Sequence, residues 1–127
     1  MQDLGNLKNN YKFYEGFEGE GEGEIVLFFE KNKEYNIHIW DGYIDDIFAN
    51  APLNQKTWTG FTRDYQEDIG AFADMQEHKI DTTEYLNDIK AYLSYPLSKK
   101  CIEVCYLIID FLEFALANNY DVILYVS

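Results

Sequence analysis

Residues 98–126, SKKCIEVCYLIIDFLEFALANNYDVILYV, decide how this chain folds. Ser98 offers a side-chain oxygen to the free N–H groups of a first helical turn, and the helix it opens runs from Lys99 to about Ala117. Lys99, Lys100, Glu103, Asp110 and Glu113 recur at spacings of three, four and seven, drawing one narrow wet stripe along an otherwise apolar cylinder. Such a helix belongs at the centre of a core. Asn118-Asn119 supplies a left-handed C-terminal cap, and Tyr120 to Val126 then reads as a buried strand.

Working upstream, Asp81-Thr82-Thr83-Glu84 has the form of a capping box and opens a second helix through Leu93. Tyr85, Leu86, Ile89, Tyr92 and Leu93 share one face of it, and Ser94-Tyr95-Pro96-Leu97 ends it. The first forty residues read as β. Tyr11, Phe13 and Phe17 alternate with polar neighbours, and Ile25 to Glu30 is a continuous apolar run suited to a strand buried on both faces. Lys31-Asn32-Lys33-Glu34 turns the chain into Tyr35 to Trp40, where Tyr35, Ile37 and Ile39 alternate with Asn36, His38 and Trp40. The expected fold is α+β, a mainly antiparallel sheet covered by two C-terminal helices, in one domain spanning 1–127.

Between these regions the pattern weakens. Ala51-Pro52-Leu53-Asn54 reads as a loop, Lys56 to Thr62 as a short strand, and Arg63 to Lys79 as a short helix interrupted by Gly70. The segment collects Asp41, Asp45, Asp46, Asp64, Glu67, Asp68, Asp74, Glu77 and Asp81 against Lys56, Arg63 and Lys79. Acids there interleave with rings, as in Trp40-Asp41-Gly42-Tyr43-Ile44-Asp45-Asp46 and Asp64-Tyr65-Gln66-Glu67-Asp68. Irregular segments on a rigid scaffold commonly carry function.

Charge narrows the class of partner. The 127 residues carry 23 acidic and 10 basic side chains, a formal net charge of −13, together with 11 Tyr, 9 Phe and 2 Trp. With 47% apolar residues the chain can still build a core, so it is not a disordered acidic tail. Such a surface repels phosphate backbones and attracts basic proteins, which argues against direct nucleic-acid binding. The start, Met1-Gln2-Asp3-Leu4-Gly5, has neither the basic nor the apolar part of a signal peptide. Two cysteines without such a signal point to reduced thiols and a cytoplasmic location. Glu103, Asp110 and Glu113 interrupt the longest apolar segment, so it reads as a buried helix and not as a membrane span.

No constellation names a reaction. Cys101 and Cys105, four apart on the apolar helix, read as core thiols or as half of a metal or redox pair. Only His38 and His78 stand elsewhere as nitrogen ligands. His38 sits opposite Ile37 and Ile39 on its strand and has no identifiable nucleophile to activate, while His78 reads as a solvated loop or helix-end residue. The Glu18–Glu24 alternation of Glu and Gly lacks the spacing of an EF-hand and reads as a charged hairpin connection. Asp45-Asp46 and Asp64-x-x-Glu67-Asp68 have no diagnostic spacing for a hydrolase or metal site. The expectation is therefore a non-enzyme with no cofactor and no metal.

Taken together, size, acidity and cytoplasmic character give a chain that resembles the small, acidic immunity proteins of bacterial toxin systems, including contact-dependent growth inhibition. The resemblance covers the whole chain without a signature motif. It implies a protein that binds a cognate toxin domain, often a nuclease, and covers its basic active site. On residue chemistry, the partner surface falls on Asp41, Tyr43, Asp45, Asp46, Asp64, Tyr65, Glu67, Asp68, Asp74 and Glu77, because interface anchors favour rings and acids match Lys and Arg. The alternatives are a nucleic-acid mimic that inhibits DNA-binding proteins, a small metal-dependent enzyme, and a structural subunit of an assembly.

Overall fold

The computed structural model describes residues 4–16, 23–48, 60, 62 and 77–126. A five-stranded sheet is built from β1 (Asn10–Phe13), β2 (Glu24–Phe29), β3 (Asn36–Trp40), β4 (His78–Lys79) and β5 (Val122–Val126). Its strand order is β1-β3-β2-β5-β4. The most apolar strand, β2, takes an interior place, with Ile25 opposite Ile39 and Leu27 opposite Ile37 on one side and Leu27 opposite Leu124 on the other. Ile25, Val26, Leu27 and Phe29 are all buried, as a continuous apolar run requires.

The fold is α+β, but the sheet is mixed where a mainly antiparallel one was expected. Both sides of β2 are occupied by β3 and β5, so β1 joins the outer side of β3 and runs parallel to it. The Glu-Gly stretch that ends at Glu24 therefore joins strands that are not neighbours, and it is not a hairpin connection; residues 18–22 of it lie outside those described. The alternation expected for β1 is also broken. Asn10 pairs with Ile37 and Phe13 with Ile39, three steps against two, a bulge steadied by the Lys12 N–H donating to Asn10 Oδ1 at 2.8 Å. Phe13 enters the core while Tyr11 turns to the opposite face, 45% exposed.

Among the described residues, three α-helices have defined bounds, one more than the two expected at the C-terminal end: α1 (Asp41–Phe48), α2 (Thr82–Ala91) and α3 (Lys99–Ala117). Asp81 caps α2 by accepting from Glu84 N–H at 3.0 Å, and Ser98 caps α3 by accepting from Cys101 N–H at 3.2 Å. At the far end of α3, Asn119 has φ 58°, Tyr120 N–H reaches Ala115 O at 2.9 Å, and Asn119 N–H reaches Leu116 O at 3.4 Å. That pair of bonds is a Schellman stop. It delivers the Tyr120 ring to Phe29, 4.8 Å away, where Phe111 stands at 4.5 Å. Rings at these distances pack offset or tilted, and their clustering fixes α3 across the sheet.

α3 buries Cys101, Val104, Cys105, Leu107, Ile108, Ile109, Phe111, Leu112 and Ala115. Its wet stripe also carries Tyr106, 53% exposed, which charge spacing alone did not single out. Lys90 of α2 meets Glu113 on that outer side at 3.3 Å. Among the described residues, no helix is long and apolar enough to cross a membrane. His78 is half-buried in β4 and not in a loop, and its neighbour Lys79 bonds Asp121 at 3.2 Å and Glu30 at 3.5 Å. Those two carboxylates raise the Lys79 pKa, the Asp121 hydrogen bond first among the causes.

Candidate functional site

The chain passes from β3 into α1 without a loop, Asp41 N–H closing the junction on Gly23 O at 3.0 Å. Ile44, Ile47 and Phe48 recur one helical turn apart and face the core, with Gly42 buried beside them. The acids take what remains. Asp41 and Asp45 are half-buried and Asp46 is exposed, so three carboxylates occupy two turns of a helix that contains no basic residue. Tyr43 is half-buried, edge-on to Trp40 at 5.5 Å and to Phe13 at 6.2 Å. The start of the segment expected to be irregular, Asp41–Phe48, is an acidic helix packed on the core with aromatic shoulders. Asp41 in its first turn also suits the positive end of the helix dipole.

Of the ten residues assigned to the partner surface, Asp41, Tyr43, Asp45 and Asp46 thus stand together on α1. Glu77 is exposed just before β4 and lines a separate cleft. Asp64, Tyr65, Glu67, Asp68 and Asp74 lie outside the described residues. Of the strand expected over Lys56–Thr62, Gly60 and Thr62 are described, and neither belongs to the sheet. Instead, Gly60 N–H donates to Glu84 Oε1 at 2.6 Å and Thr62 N–H to Asp88 Oδ2 at 2.8 Å. The Thr62 hydroxyl adds bonds of 2.6 Å to Asp88 Oδ2 and to the Tyr92 hydroxyl. Burial pushes the Tyr92 pKa up to about 12.

No family model, no curated protein and no solved structure matches this chain.

Sequence reading missed a polar network on the sheet face opposite the helices. His38 Nδ1 lies 2.9 Å from Glu24 Oε2 and Nε2 lies 2.7 Å from Asn36 Oδ1. The Asn36 amide is fixed in turn by Asn9 Oδ1 at 2.8 Å, Lys33 O at 2.9 Å and Glu34 O at 3.1 Å. Tyr11 covers the imidazole with centroids 3.9 Å apart and planes inclined by 16°. A Glu–His pair invites an acid–base reading, yet each ring nitrogen already faces a side-chain oxygen. General base catalysis needs a nitrogen aimed at a substrate proton. His38 is held at both ring nitrogens directly beneath the Tyr11 ring. The signal that could have found it was the recurrence of Asn36 and His38 on one strand face beside Glu24.

Cys101 and Cys105 are both buried free thiols. Burial, with Cys101 alongside, pushes the Cys105 pKa up to about 12, which suppresses the thiolate that redox or metal chemistry would use. Among the described residues no cluster of His, Cys, Asp and Glu is arranged to hold a metal ion.

Proposed function

We propose that this protein is an immunity-type inhibitor, acting in the cytoplasm, that binds a basic toxin domain and covers its active site. The observation that carries the reading is α1: Asp41, Asp45 and Asp46 on the outer side of a helix whose inner side is locked into the core. Carboxylates fixed by packed backbone are already positioned for a partner, so little ordering cost attends binding. Tyr43 and Trp40 beside them supply the aromatic contact that interfaces favour. On a chain with a net charge of −13 these groups steer a basic surface toward α1 from a distance. A nuclease cleft lined with Lys and Arg is such a surface, and the carboxylates take the places its phosphates would occupy.

The test is protection. The gene beside this one should encode a large secreted protein with a toxic C-terminal domain, and cells expressing that domain should survive when this chain is co-expressed. Substituting Asp45→Lys and Asp46→Lys together should remove protection while leaving the thermal unfolding transition in place. Undiminished protection by that variant would refute the α1 assignment. A neighbouring toxin against which the wild-type chain gives no protection would refute the function.

A further inference from the structure

A cleft lies over His38 on the sheet face opposite the helices, lined by residues other than those of α1. It is a shallow, open cleft of about 330 Å³, and Asn9, Tyr11, Phe28, Lys33, His38 and Glu77 line it. Three features of it belong together. The bulge in β1 turns Tyr11 out of the core and onto this face, a re-aiming for which bulges are commonly used. Beneath Tyr11, Glu24 and Asn36 hold the imidazole at 2.9 and 2.7 Å, and the Asn36 amide donates in turn to Asn9 Oδ1 at 2.8 Å, so the ring above rests on a fixed plate. Asn36, the hub of that support, is only 9% exposed. Four side chains thus hold one half-exposed tyrosine at the mouth of a cleft.

The lining also indicates what the cleft receives. Lys33 Nζ lies 5.6 Å from the centroid of Phe28, so one cation already rests on an aromatic face inside it. Tyr11 offers a second such face, and Glu77 puts a carboxylate on the rim. A flat cation that can stack on a ring and donate two N–H groups to a carboxylate at its edge is a guanidinium. Building on the reading above, we infer that this cleft takes an arginine side chain of the basic partner. Lysine fits less well, because an ammonium has no planar face to lay on Tyr11 and no paired N–H fork for the Glu77 carboxylate, while Lys33 opposes either cation alike. The cleft then sets which basic partner is accepted, while the α1 carboxylates set how fast any basic partner arrives.

The experiment needs no toxin. Capped arginine (N-acetyl-arginine amide) is titrated into the full-length protein at constant ionic strength, with capped lysine and capped glutamine as controls, and the aromatic resonances of Tyr11 and His38 are followed by NMR. The inference expects saturable shifts at both residues with arginine, at least about fivefold weaker binding for lysine, and no saturation with glutamine. Tyr11→Leu should abolish the arginine response, and Glu77→Gln should weaken it about threefold or more while leaving the His38 resonance at its starting position. No saturable shift with arginine, an equal response to glutamine, or a response unchanged in both variants would overturn the inference. Any of these outcomes leaves the inhibitor reading standing, since that depends on protection through α1. Failure of protection leaves the arginine titration intact as a property of the cleft.

Discussion

The indole of Trp40 lies against the backbone of Gly42, so that a Cβ placed on Gly42 would stand 2.3 Å from the ring. This close approach leaves no room for a side chain, which is why a residue of poor helix propensity stands in the first turn of an acidic helix. Gly42→Ala should cost about 1–3 kcal/mol through overpacking. In a Trp58→Phe background the emission of Trp40 should also shift, because the ring must move. Unchanged denaturation and emission would show that the ring yields without cost.

Asn119 occupies the left-handed region at φ 58°, where a β-branched side chain collides with its own backbone. Asn119→Val should lower stability by about 1–2 kcal/mol, and Asn119→Gly should be neutral or slightly stabilising. Chemical denaturation of the pair decides this.

Elements with their own caps and long periodicity were legible in the sequence. α3 runs Lys99–Ala117 with Ser98 and Asn119 in the capping roles their side chains suggest. α1 was not legible, because its eight residues include Gly42 and two adjacent aspartates, and its apolar turn Ile44, Ile47 and Phe48 is too short to stand out. Strict alternation places Tyr11 on the side of Phe13 because it assumes an unbroken ladder, and the bulge between Asn10 and Phe13 breaks it. The parallel pairing of β1 depends on which sides of β2 and β3 are already taken, a matter of topology that no local pattern encodes. Of the candidate site, the α1 acids stand out in the composition, whereas the Glu24–His38–Asn36–Asn9 network is spread across two strands and a loop.

Burial places the Tyr92 proton on a group with a folded pKa of about 12 against an ordinary value of 10.0. Cys105 is shifted likewise, to about 12 from 9.0. In that window the unfolded chain releases both protons while the folded chain keeps them, so stability falls as pH rises from about 9 to about 12. Urea midpoints should drop across that range, and Tyr92→Phe should flatten the part above pH 10. A midpoint independent of pH up to 12 would contradict the buried placement of both groups.

Because Cys101 and Cys105 lie on the core side of α3, thiol reagents should label them slowly in the native protein and at once in denaturant. Fast native labelling of both would mean that α3 opens far more readily than its packing implies.

The account depends most on α1 as the surface that meets a basic partner. Stopped-flow association of the wild-type protein and of the Asp45→Lys, Asp46→Lys variant with the cognate toxin domain, measured across a series of salt concentrations, tests it most directly. The account predicts that the variant associates about tenfold or more slowly at low salt, with a shallower salt dependence and an unaltered fold. Equal association rates and equal salt dependence for the two proteins would contradict it.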